Sequence, residues 1–113
     1  MDIEDEARNY LETFANRDIE ALAGFFSESV VLRDWEVSVT GKEKVIEANK
    51  GIFDSFTSID LDITNVVSSK NQVVVEFALN LHSVDELISL LVTDIIEYDA
   101  HGKIISVRAY KGN

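Results

Sequence analysis

Apolar residues at Ile3, Ala7, Tyr10, Leu11 and Phe14 recur at three- and four-residue steps. That is the period of one helical face, and it predicts a first helix of about four turns that ends near Asn16. Asp18 is a good N-cap, and Ala21, Leu22 and Phe25 behind it predict a short second helix stopping between Gly24 and Ser27. Val30-Val31-Leu32-Arg33-Asp34-Trp35 is β-branched and short, so it reads as a strand ended by Asp34, with Glu36 to Val39 as a brief second one. Thr40 with Glu43 fits a capping box, and Val45, Ala48, Ile52 and Phe56 form the apolar stripe of a third helix.

The period then changes. From Ile59 onward apolar residues alternate or run continuously over roughly 59–68, 72–82, 87–98 and 103–110, with polar breaks at Ser68-Ser69-Lys70-Asn71, Ser83 to Glu86 and Asp99 to Lys103. This predicts an antiparallel meander. Helices first and sheet second, with no proline, repeat or low-complexity linker, give an α+β architecture in which three helices cover one face of a curved antiparallel sheet. A chain of 113 residues is one domain's worth, so residues 1–113 are read as a single domain.

Charge and composition narrow the chemistry. Ten basic against 21 acidic side chains leave a formal net charge of −11, which repels nucleic acid and anionic lipid surfaces. The absence of cysteine excludes disulfides, thiolate catalysis and sulfur-ligated zinc. The start, Met1-Asp2-Ile3-Glu4-Asp5-Glu6, has no basic or apolar leader pattern, and no apolar run approaches bilayer-spanning length, so a cytoplasmic protein with no membrane partner is expected. Only His82 and His101 could be imidazole ligands, each in a predicted turn without a second ligand at helical metal spacing, so no metal is expected.

One residue stands out on physical grounds. Ile88, Leu90, Val92, Asp94, Ile96 and Tyr98 alternate along one strand face, which is apolar apart from a single carboxyl. Desolvation disfavours its charged form, and a neutral acid can donate a hydrogen bond to an enolate oxygen, as a tyrosine hydroxyl can. Pairing with Arg108 on the next strand is the competing reading, and it would keep Asp94 charged and structural. Tyr10 has a rival role as a core aromatic, and Asp34 as a turn former.

The order of elements resembles the nuclear-transport-factor-2-like, cystatin-like cone, whose sheet curls around a pocket closed by the helices. Within it, Tyr10, Asn16-Arg17-Asp18, Phe25-Phe26-Ser27-Glu28 and Val31-Leu32-Arg33-Asp34 resemble the front half of bacterial Δ5-3-ketosteroid isomerases. Asp94-Ile95-Ile96-Glu97-Tyr98 and Gly102-Lys103-Ile104-Ile105-Ser106-Val107-Arg108-Ala109 are similar to their last hairpin. The resemblance implies Asp34 as general base, with Tyr10, 24 positions earlier, and a neutral Asp94 as oxyanion donors. It implies no cofactor, a small apolar carbonyl ligand and a double-bond shift by proton transfer. Phe14, Phe26, Trp35, Asn49, Phe53, Phe56, Val92 and Ile96 are the expected pocket residues. Trp35 replaces the proline that usually follows the base, Asn49 stands where many members have a supporting tyrosine, and Phe26 occupies another tyrosine position. The same cone also serves SnoaL-like polyketide cyclases and non-catalytic ligand-binding or dimerisation modules, which remain the alternatives. Val73, Val75, Phe77, Leu79 and Leu81 on one strand, with Leu87, Leu91 and Ile95 on the next, make both faces of the meander apolar. One must meet the helices, and the exposed other predicts a homodimer through the sheet.

Overall fold

In the computed structural model, which describes residues 2–112, acidic side chains start the first two helices. Of the sequence features above, Met1 and Asn113, the ends of the single-domain span, lie outside the described residues. Asp2 accepts from the Glu4 N–H at 2.9 Å to begin α1 (Ile3–Ala15), and Asp18 accepts from the Ala21 N–H at 3.1 Å to begin α2 (Ile19–Ala23). α2 ends before Phe25, and β1 (Phe26–Arg33) begins four residues earlier than the β-branched run suggests. The cause is long-range: the Ile104 N–H donates to the Phe25 carbonyl at 2.8 Å and draws the chain into the sheet directly after Gly24.

The expected strand from Glu36 is instead a turn. Asp34 Oδ1 accepts from the Glu36 and Val37 N–H groups at 2.7 and 2.8 Å, and the Asp34 N–H donates to the Val37 carbonyl at 2.9 Å. This closes residues 34–37 and delays β2 to Ser38–Thr40. Thr40 does not form a capping box, because the β1–β2 hairpin claims it as the partner of Val31. Gly41 is the N-cap of α3 (Lys42–Ser55) instead, at a φ of 102° that disfavours a β-branched residue, and no side chain caps the helix there.

At its far end α3 has no basic residue of its own, and Arg17 serves it from the α1–α2 corner. Its guanidinium donates to the Phe53 carbonyl at 2.9 Å and the Thr57 carbonyl at 2.7 Å. Arg17→Ala is expected to cost about 1–2 kcal/mol, the worth of charge-assisted bonds that are only partly shielded from water. Denaturant unfolding checks this, and an unchanged midpoint would show that the corner is not held by Arg17.

The remaining strands are β3 (Ser58–Ser69), β4 (Gln72–His82), β5 (Leu87–Tyr98) and β6 (Ile104–Lys111). They form the antiparallel meander, and β1 joins β6 in parallel, giving a mixed sheet of order β2-β1-β6-β5-β4-β3. Register shifts at Ile63/Asn65, Phe26/Val31 and Glu97/Tyr98 bend the strands and curve the sheet. Val73, Val75, Phe77, Leu79 and Leu81 of β4 are buried toward the helices, opposite Ile96, Asp94, Val92, Leu90 and Ile88 of β5. The outer face shows Val67, Leu87, Leu91 and Tyr110, each about half exposed. No helix among the described residues is long and apolar enough to cross a membrane.

Candidate active site

The parallel β1–β6 pairing brings two distant carboxyl groups to one level of the sheet. Arg33 is level with Arg108, so Asp34, the next residue, comes level with Ala109, and Ala109 in turn pairs with Asp94 on β5. Asp34 and Asp94 therefore flank Ala109 on the concave face, with backbones two strand spacings apart, about 9–10 Å. Ala109 has only a methyl group to put between them. Facing this line across a cavity of about 300 Å³ is Tyr10 of α1, together with Phe14, Asn49 and Phe56. That volume is at the small end of ligand pockets, about ten waters' worth of liquid.

The walls are mostly aliphatic and aromatic, and they set the electrostatics. Asp94 is 6% exposed and makes no hydrogen bond among the described residues. Burial, and next the nearby charge of Asp34, push its carboxyl up to about 7, which favours the neutral form far more than in an exposed aspartate. Arg108 does not claim it. Its guanidinium lies on the other sheet face, donating to Glu97 Oε1 at 2.6 Å and to Ser106 Oγ at 3.3 Å. The Tyr10 hydroxyl is pushed far up, first by burial and then by the Asp94 and Tyr98 charges, and so remains a proton donor at any physiological pH. Asp34 does act as a turn former, but through Oδ1 alone, which leaves Oδ2 outside the turn's hydrogen bonds and the carboxylate fixed in orientation.

The structure brings Tyr10, Asp34 and Asp94 together around one cavity and places Phe14, Trp35, Asn49, Phe56 and Val92 in its walls. Three expected pocket residues lie elsewhere. Phe26 packs edge-on against the Tyr10 ring at 5.8 Å between centroids, as Phe25 does at 5.7 Å, so these rings clamp Tyr10 rather than meet a ligand. Phe53 backs Phe14 at 5.5 Å, and Ile96 is fully buried beneath the cavity floor. Conversely, Leu79 and Leu81 of β4, Ile88 and Leu90 of β5, and Glu36 and Lys111 at the rim line the cavity without having been singled out. Strand alternation from Asp94 and Ala109 carried the signal for the strand residues. His82 lies at the end of β4 rather than in a turn, its Nε2 2.9 Å from Asp60 Oδ2. Among the described residues no group of His, Asp and Glu is arranged to hold a metal.

The gap over Ala109 has a direct test. Ala109→Leu should fill it and weaken binding of a small apolar probe in this cavity at least about tenfold, the loss of one or two methylene contacts. Calorimetric titration reads this, and unchanged affinity would move the ligand away from the line between the two carboxyls.

A curved mixed sheet closed by helices over an apolar cavity fits the nuclear-transport-factor-2-like cone. A model of the SnoaL-like domain matches residues 7–107, and the chain belongs to the SnoaL-like family. No curated protein matches it by sequence. Among solved structures it is similar to an NTF2-like protein of unknown function from Exiguobacterium sp. 255-15, with a TM-score of 0.84, 18% identity, and 95% of this chain and 98% of that one covered. It is also similar to an LEH-like epoxide hydrolase of M. tuberculosis, at a TM-score of 0.85 and 14% identity over 96% of this chain and 81% of that one. AusH from Aspergillus nidulans gives a TM-score of 0.82 and 19% identity over 95% and 81%. At these identities the likeness is one of fold.

Proposed function

We propose that the protein is a ketosteroid-isomerase-like enzyme that moves a double bond next to a carbonyl in a small apolar compound. The observation that carries this reading is the pair of carboxyl groups flanking Ala109, one of them buried and pushed toward neutrality, in a cavity with a second donor at Tyr10. Asp34 Oδ2 takes the proton between the carbonyl and the double bond. The electron pair moves onto the carbonyl oxygen, where the Tyr10 hydroxyl and neutral Asp94 donate to it. Asp34 then returns the proton at the far carbon, and the double bond ends conjugated. Nothing is oxidised overall, and the step as written needs no cofactor.

The non-catalytic alternative fits a cavity filled by Trp35 and Phe53. Here Trp35 stands in the wall and Phe53 behind Phe14, which favours catalysis. The test is conversion of a model β,γ-unsaturated ketone to its conjugated isomer, followed by ultraviolet absorbance. Tyr10→Phe should slow it mainly in kcat, because the lost donor matters most when the oxyanion forms. If the ketone binds and never isomerises, the binding-module reading replaces this one.

We infer also that the chain forms a homodimer through the outer sheet face. What supports it is the set of Val67, Leu87, Leu91 and Tyr110 on that face, 48–58% exposed, in a protein whose charge opposes nonspecific association. Sedimentation should give a dimer at micromolar concentration, and a monomer throughout that range would remove the inference.

A further inference from the structure

We propose that Lys111 is an anion-recognising residue at the cavity rim, and that the ligand of this site is an apolar molecule with a carboxylate at its outward end. The proposal deepens the reading above and rests on it only for which end of the ligand points inward.

Lys111 pairs with Val92 across β5 and β6, two residues beyond the Asp94–Ala109 pair. Alternation therefore gives it the same concave face as Ala109, about 7 Å farther along the strand at the usual rise. It lines the cavity, and it is the one basic side chain among the lining residues. Its Nζ lies 5.6 Å from the centre of the Trp35 ring. The indole face attracts the ammonium by a cation–π contact and favours its placement at the rim. Among the described residues the ion pairs are those of Lys42, His82 and Arg108, so no carboxylate within 4.0 Å neutralises Lys111.

The acidic lining residues argue for the opposite charge, and their placement decides against it. Asp34 and Asp94 lie two residues deeper along the strands than Lys111, one bound into its turn and the other with its charged form disfavoured by burial, while Glu36 is exposed in the 34–37 turn. A ligand whose carbonyl end reaches Asp34 and Asp94 has its other end beside Trp35 and Lys111, where apolar walls give way to a cation. An overall charge of −11 disfavours anions at long range, so selection of a carboxylate depends on this local contact.

The experiment is calorimetric titration of the full chain with 4-phenylbutanoate, 4-phenylbutanamide and 4-phenylbutylamine. The wild type is expected to bind the carboxylate about tenfold tighter than the amide, the scale of one charge-assisted hydrogen bond at a partly exposed site. Lys111→Met should abolish that preference, with circular dichroism and an unfolding midpoint reporting that the variant is folded, and Lys111→Arg should keep it. The proposal is overturned if the amide or the amine binds as tightly as the carboxylate, if the preference survives Lys111→Met, or if none of the three binds. Turnover is not read, so loss of the preference leaves the isomerase reading standing, and an inert ketone leaves the carboxylate preference measurable.

Discussion

Asp34→Asn should lower turnover of a β,γ-unsaturated ketone at least ~10²-fold, the low end of what a positioned base contributes. The amide nearly preserves shape, and its oxygen can still accept from the Glu36 and Val37 N–H groups, so the 34–37 turn survives. What disappears is the basic second oxygen. Asp94 cannot substitute for it, lying on the far side of Ala109 and holding its own proton for much of the time. Ketone affinity should stay within about threefold, well under the 1.4 kcal/mol that makes a tenfold change. Steady-state kinetics beside calorimetric titration separates the two quantities. A variant that retains wild-type kcat would show that another group takes the proton.

Asp94 should also leave a signature in stability against pH. Its ordinary carboxyl pKa is raised by burial to about 7 in the folded chain. Below about pH 4 the group is protonated folded and unfolded, and it costs nothing. As pH rises, the unfolded chain loses the proton first while the folded chain keeps it until about 7, so folding stability falls across that window and no further above it. Asp94→Asn lacks this titration. The unfolding free energy of the variant minus that of the wild type should therefore rise by on the order of 4 kcal/mol between pH 4 and pH 8. Urea unfolding at several pH values reads the difference, in which the other carboxylates cancel. A flat difference would mean that Asp94 is solvated or paired, and the neutral-donor role would go with it.

Helix and strand identity was legible because it rests on periodicity. The 3.6-residue face of Ile3 to Phe14 and the two-residue alternation of β4 and β5 both appear in the structure. What failed to show were decisions made by distant partners. Phe26 joins the sheet because Ile104 waits there, and Thr40 goes to a hairpin rather than a cap because Val31 pairs with it. The same limit applies to the cavity. A lone carboxyl on an apolar face marks Asp94, but Arg108 could be placed on the opposite face only once Ile95 is known to be its partner. Phe26, Phe53 and Ile96 are apolar like true wall residues, and nothing local distinguishes the side chain that faces a void from the one behind it.

The parallel pairing of β1 with β6 has a kinetic side. Phe26 and Ile104 stand 78 residues apart, and the seam between them is the longest-range strand pairing in the sheet. Long loops close slowly relative to local hairpins, so the β3–β6 meander is free to assemble before β1 docks. Until it does, Asp34 is nowhere near Ala109 and Asp94. During synthesis β6 must leave the ribosome before the two acids can meet, so their juxtaposition depends on the β1–β6 seam.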